Sequence, residues 1–282
     1  MVIATGTRRP NPDACSLAPV ASRVGYDPGE RGKGSATERG ATGRKGRFWE
    51  VDAARGVAIL MMVVYHFVYD LDTFGGYDVD AVGGFWARFA DATASLFLFL
   101  VGVSLAIVHA RGGGGFRKYL FRGLRIFGYG MLLTAVFLVF GMGIVAFGIL
   151  HLIGVSIILA YPFLNLKFTN LVLGGLIFAA GLYVGDSTGS AWLLPFGVVP
   201  EGWIMPDYRP LLPWFGVVLI GLFFGNVVYG EGRRPGKIPD PAPKVAGPLL
   251  PLGRNSLVIY LVHQPVMILL LAALGVVDLG LF

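Results

Sequence analysis

The sequence predicts an all-α fold, a polytopic transmembrane helical bundle of about seven spans. Three observations predict it. Of the 282 residues, 55% are hydrophobic and only 14% charged, with a mean hydropathy of +0.69. A water-soluble domain carries roughly a quarter charged residues, so too little polar surface is present to cover a soluble globule. Seven stretches approach or exceed the roughly 17–25 apolar residues that a membrane helix requires. The remaining charge is unevenly placed, with nine of the 23 Lys and Arg in the first 50 residues.

Residues 1–46, rich in Gly, Arg, Pro, Ala and Ser, contain no apolar run and cannot bury enough surface to offset chain entropy. They are expected to be a disordered basic cytoplasmic tail. Arg8-Arg9 is not expected to open an export signal, because no apolar segment follows it for about forty residues. The only cysteine, Cys15, lies in this tail, so neither an intramolecular disulfide nor a cysteine-based metal site is available. The membrane domain is expected over 47–282. Its spans are placed at 51–71, 88–109, 119–140, 143–163, 168–185, 211–229 and 254–277. Gly128, Gly130, Gly148, Gly154, Gly174, Gly175, Gly216 and Gly221 suit close helix approach in lipid. A segment near 191–205, with Trp192, Phe196 and Trp203, suits an interfacial or re-entrant turn.

Lys and Arg set the orientation. With alternating spans, 20 fall on one side and two, Arg88 and Arg209, on the other, while Arg55 lies within the first span. The positive-inside rule then predicts a multi-pass cell-membrane protein with a cytoplasmic N-terminus and an external C-terminus. The net charge of +6 is thereby an orientation signal, and no nucleic-acid partner is expected.

Ionisable side chains inside a bilayer are costly and usually face a bundle interior or a wet cavity. Asp52 and Arg55 stand three apart in the first span, so they can pair on one face. His66 follows Arg55 by eleven residues, about three turns, and shares that face. His151 in the fourth span and His263 in the seventh lie at similar depth, the latter beside Gln264 and Pro265. Three histidines on three spans predict a polar cavity in the bundle. The plain alternative for each is a packing hydrogen bond between helices, and for Arg55 a snorkelling anchor. His109 is expected in an interfacial loop and Asn226 in a helix–helix hydrogen bond. The three histidines form no i,i+3 or i,i+4 pair among themselves to support a metal site, and none is expected.

Asp52, Arg55-Gly56, Ala58, the paired methionines and His66 resemble the first span of membrane acyltransferases. FGILHLIG from Phe147, DYRPLLPWFG from Asp207 and LGRNSLVIYLVHQP from Leu252 extend the match. Together they resemble the bacterial and archaeal proteins related to the catalytic domain of heparan-α-glucosaminide N-acetyltransferase, over about Arg47 to Pro265. They are more distantly similar to the acyltransferase-3 membrane proteins.

The resemblance implies transfer of an acetyl or other acyl group from cytosolic acyl-CoA to a sugar, glycan or glycolipid acceptor across the membrane. Within it, His66 resembles the position of the catalytic histidine of the acyltransferase-3 proteins; depth and charge add the expectations that His151 and His263 support it and that Arg55 and Arg254 meet the acyl-CoA. A neutral imidazole, with an unperturbed pKa near 6.5, suits proton removal from an attacking amine or hydroxyl, and a second donor suits the oxyanion. The animal lysosomal enzyme carries asparagine where this chain has His66. Membrane lipid is the surrounding partner, and assembly as a homodimer is left open by the sequence. The rival class is a small-solute transporter with a midplane cavity, for which no paired repeat is seen.

Overall fold

In a computed structural model of the chain, the residues described are 46–139, 145–185, 187–203, 207–234, 236 and 243–276. The expected tail, Cys15 included, lies outside them except for Gly46. The rest belongs to one unit, Arg47–Phe282.

Among the described residues eight α-helices run in order: α1 (Trp49–Phe74), α2 (Gly84–Ala110), α3 (Phe116–Val139), α4 (Ile149–Leu159), α5 (Phe168–Val184), α6 (Leu211–Tyr229), α7 (Leu249–Arg254) and α8 (Ser256–Ala273). Five of them (α1, α2, α3, α6 and α8) are long and apolar enough to cross a membrane, and α4 and α5 are shorter apolar helices. These seven match the seven expected segments. The expected fourth span is the most altered. Among its described residues the α-helical part is Ile149–Leu159, continued by a 3₁₀ turn at Tyr161–Phe163. Near 191–205 the structure has a 3₁₀ turn, Ala191–Phe196, with Trp192 almost fully exposed.

The core lies between α2, α4 and α6 and includes Leu98, Leu105, Leu152, Ile157, Val218, Leu219 and Leu222. Glycines set the helix spacing, since backbones can approach closely only where no side chain intervenes. A Cβ on Gly102 would collide with the Val218 carbonyl, and one on Gly221 with the Phe99 carbonyl, which locks α2 to α6. Gly174 and Gly216 face each other's carbonyls between α5 and α6, and Gly123 and Gly154 do so between α3 and α4. Of the glycines singled out from sequence, Gly128 and Gly175 instead face open space.

The basic segments converge on one end of the bundle. Arg111 Nε donates to the Gly232 carbonyl at 3.1 Å, Arg234 pairs with Glu50 at 3.2 Å, and His109 Nε2 meets Asn165 at 2.7 Å. Asn226 donates to the Leu164 carbonyl at 3.1 Å, tying α6 to the α4–α5 turn at this same end. The helices α1 and α8 run side by side in the same direction. Arg55 and Arg254 both reach Asp52 at one end, while His66 meets His263 and Asp70 meets Gln264 farther along. A chain crossing seven times requires that relation of its first and last spans.

Candidate functional site

The site begins at the α1 end that carries the arginines. Asp52, 2% exposed, accepts from Arg47 at 3.1 Å and from Arg55 at 3.4 Å, and lies 3.6 Å from Arg254. Glu50 and Asp52 stand in the first turn of α1, where carboxylates suit the positive end of the helix dipole. Arg55 also donates to Ser104 Oγ at 2.5 Å, so its charge is committed on two sides. Arg254 and Arg47 keep side-chain exposures of 50% and 59%. α7 can approach this carboxylate because Gly253 has no side chain, as a Cβ there would overlap the Asp52 carbonyl. A cavity of about 720 Å³ opens among the other basic segments of the same end, lined by His109, Asn165, Lys167, Arg233 and Arg234.

Farther along α1 and α8, the structure brings two of the three histidines together. The His66 and His263 rings stand edge-on, with centroids 4.7 Å apart. His66 Nδ1 lies 2.9 Å from the Met62 carbonyl, and His263 Nδ1 lies 2.7 Å from the Tyr260 carbonyl. A carbonyl only accepts, so each Nδ1 carries the hydrogen, and in the neutral ring Nε2 is left with the lone pair. Both imidazoles therefore present a basic nitrogen. His263 Nε2 is buried without a hydrogen-bond partner among the described residues. His263 also walls an apolar groove of about 370 Å³ formed by Val63, Phe67, Val266, Met267 and Leu270. Pro265 stands inside α8 at this level and cannot donate to the Leu261 carbonyl.

His151 is placed differently. It occupies the first turn of α4 rather than mid-helix, and is packed against Phe127, Phe147 and the backbone at Gly130, where a Cβ would touch its ring. The Gly148 N–H donates to His151 Nδ1 at 3.2 Å. Here Nδ1 accepts, so Nε2 bears the hydrogen, and that N–H is buried without a partner among the described residues. His151 thus presents a donor where His66 and His263 present acceptors.

Asp207 joins the two groups. Its Oδ2 accepts from the Ile149 N–H at 3.3 Å, at the start of α4, and from Tyr260 Oη at 3.1 Å, on α8. Its backbone holds φ 54, a left-handed conformation that Asp tolerates better than most residues. Although the residue retains surface exposure, the enclosure of its carboxyl by protein dominates and pushes its pKa up, against the pull of Arg209, the Ile149 N–H, Tyr260 and His151. Arg209 in turn pairs with Asp91 at 3.3 Å and stacks 5.0 Å from the Trp214 ring. Tyr208 donates to the Leu194 carbonyl at 2.5 Å, and burial raises its pKa to about 12.

A match to a protein-family description, heparan-alpha-glucosaminide N-acetyltransferase, catalytic, covers residues 47–265. The chain belongs to that family. No curated protein and no solved structure matches it. The matched region begins at Arg47, which holds Asp52, and ends two residues past His263, so the whole constellation above falls inside it. Membership makes the chain part of a family of membrane acetyltransferases.

Sequence reasoning missed two members of this constellation, Asp207 and Asp70. Asp207 stood inside a motif but was given no role. Asp70, fully buried on α1, and its partner Gln264 lie one helical turn and one residue beyond the two histidines. The signal for Asp70 was its spacing, i+4 from His66. Among the described residues no group of three or more His, Cys, Asp or Glu is arranged to hold a metal ion.

Proposed function

We propose that this chain is an integral membrane acyltransferase that moves an acetyl or longer acyl group from cytosolic acyl-CoA to a sugar or glycan acceptor at the opposite face. The observation that carries the reading is the pairing of two basic imidazole nitrogens on α1 and α8, the helices whose common end gathers Arg47, Arg55 and Arg254. An acyl-CoA spans such an arrangement. Its phosphates meet the water-exposed guanidinium groups of Arg254 and Arg47 and the lysine and arginines of the basic cavity. Its narrow pantetheine arm reaches along α1 toward the histidines. Arg55, held by Asp52 and Ser104, orients the arginine cluster more than it binds phosphate.

At the thioester, His66 Nε2 takes a proton from the acceptor's amine or hydroxyl as that atom attacks the carbonyl carbon. The new C–N or C–O bond forms, the C–S bond breaks, and the CoA thiolate is protonated. The His151 N–H is the donor suited to the oxyanion, because its Nδ1 is already occupied as an acceptor. His263, with a buried Nε2 lone pair that no described residue engages, supports His66 as a second base. The apolar groove beside His263 limits water at the thioester, which favours transfer over hydrolysis.

The basic end of the bundle is cytoplasmic under this reading, with the C-terminus external and the cell membrane as location. The deciding experiment compares two activities of the purified chain in proteoliposomes. Acyl-CoA-dependent release of free CoA, stimulated by an amino sugar, is the expected result. Uptake of solute without thioester cleavage would replace the transferase by a transporter.

A further inference from the structure

The groove that His263 walls has a direction as well as a volume. On α8 it is lined by His263, Val266, Met267, Leu270, Leu271 and Leu274, which recur at three- and four-residue steps and so share one helix face. Val63 and Phe67 on α1 close the other side. Met267 and Leu271 form a buried floor packed with Leu71, while Phe67, Val266, Leu270 and Leu274 form an exposed rim. From His263 to Leu274 are eleven residues, about 16 Å of helix. Leu274 stands twenty residues beyond Arg254, about 30 Å, which matches the hydrocarbon thickness of a bilayer. The groove therefore starts at the histidine pair and runs through the outer half of the membrane, away from the arginines.

A thioester donor fixes what lies in that direction. With its phosphates at the arginine end, its sulfur approaches the histidines from that side. The acyl chain leaves the carbonyl carbon on the side opposite the CoA arm, and the continuation of that line past His66 and His263 is the groove. An acetyl group carries a single methyl past the carbonyl carbon and leaves the groove unused. Each further carbon advances an extended chain by about 1.25 Å, from the usual C–C length and bond angle, so about thirteen carbons reach Leu274. A lipid anchor on the acceptor has no such constraint, because only its nucleophile must meet the thioester. We propose that the groove is the acyl-chain site, and that the protein transfers acyl groups of about eight to twelve carbons in preference to acetyl. This rests on the acyl-transfer reading above.

The chemistry is that of a shorter donor. The acceptor's nitrogen or oxygen bonds to the carbonyl carbon as the C–S bond breaks. The acceptor's proton passes through His66 Nε2 to the CoA thiolate, and the alkyl chain stays on the carbonyl carbon. What the groove adds is selection by length. Every lining residue beyond His263 is apolar, and each methylene that leaves water for such a wall raises affinity about fourfold. The rim residues also mark distance along the chain. Val266, Leu270 and Leu274 stand about 4.5, 10 and 16 Å past His263, the reach of about four, eight and thirteen carbons.

The test uses the full chain in nanodiscs and a series of unreactive S-alkyl-CoA thioethers with ethyl, butyl, octyl and dodecyl chains. In each, a methylene stands where the thioester carbonyl would be, so no acceptor is needed. Affinity is read as displacement of radiolabelled CoA, with free ligand corrected for partition into empty nanodiscs. Wild type should bind the octyl compound at least a hundredfold more tightly than the ethyl one, and the dodecyl compound more tightly still. Val266→Trp blocks the groove one turn past His263 and should erase the gain beyond butyl. Leu270→Trp blocks it a turn later and should keep the octyl gain while erasing the dodecyl one. Leu269→Trp, on the face of α8 outside the groove, should keep the wild-type order. Equal affinity across the series overturns the acyl-chain site while leaving acyl transfer standing. So does a gain that survives both groove variants, which would mean that the alkyl chain lies in bilayer lipid. Absence of displacement by any member of the series overturns both readings. If Val266→Trp does not assemble, Leu270→Trp decides, and a retained dodecyl gain there overturns the site.

Discussion

His66 and His263 meet edge-on at 4.7 Å, each with Nδ1 held by a carbonyl one turn back on its own helix. That relationship fixes which nitrogen each ring can use. It also requires α1 and α8 to lie in register, and the lock is remote from the rings. It is set at the other end by Asp52, which faces arginines from the α1 end and from α7, and by the absence of a side chain at Gly253.

Gly253→Ala tests that register. The added methyl would overlap the Asp52 carbonyl backbone, which cannot yield as a flexible side chain would. Overpacking of this kind costs about 1–3 kcal/mol, occasionally more. The variant should lose thermal stability in detergent, and acyl transfer should fall with it. Gly175→Ala, in open space, should leave both unchanged.

Asp207 gives a pH dependence with a defined sign. Its pKa is raised in the folded chain, chiefly by burial. A group of this kind contributes stability that is fully present below its unfolded value, near 3.8, and is lost as pH rises through the folded value. Asp207→Asn abolishes that titration. The stability of the variant relative to wild type should therefore climb as pH rises above the usual carboxylate range. Thermal unfolding of both proteins between pH 4 and pH 8 measures this, and a difference independent of pH would contradict the raised value.

The span count, the shared end of the basic segments and the Asp52–Arg55 contact could all be read from composition, charge and helical spacing. Those signals are local or sum over long windows, so tertiary detail does not disturb them. The pairing of His66 with His263 rather than with His151 could not be read, because depth along a span says nothing about which spans are neighbours. His151 also proved to stand in the first turn of α4, since the helix begins only at Ile149. Asp207 was hidden for a different reason. A loop carboxylate is ordinary in sequence, and its importance lies in reaching Ile149 and Tyr260, 58 and 53 residues away.

Topology is open to direct labelling. With the basic end cytoplasmic, a cysteine at Ser190 should react with an impermeant maleimide from outside, and one at Glu231 should not until the membrane is opened. Cys15 must first be replaced by serine. The reverse pattern would invert the protein and remove the cytosolic donor from the proposed mechanism.

The three histidines should fail in different ways when replaced. His66→Ala removes the base on α1 and should slow single-turnover acyl transfer roughly 10²–10⁴-fold. His151→Ala removes a donor, and loss of one oxyanion donor costs roughly 10²–10³-fold. His151→Gln retains a side-chain N–H donor and should recover part of that rate, whereas His66→Gln should recover none because an amide is no base. His263→Ala should cost less than either, since His66 keeps its own lone pair and Gln264 remains beside the gap. The measurement is the single-turnover rate at saturating acyl-CoA, for variants matched in assembly. Full activity of His66→Ala together with a dead His263→Ala would move the base from α1 to α8. Rescue of His66 by glutamine would mean that the ring acts through hydrogen bonding and not by taking a proton.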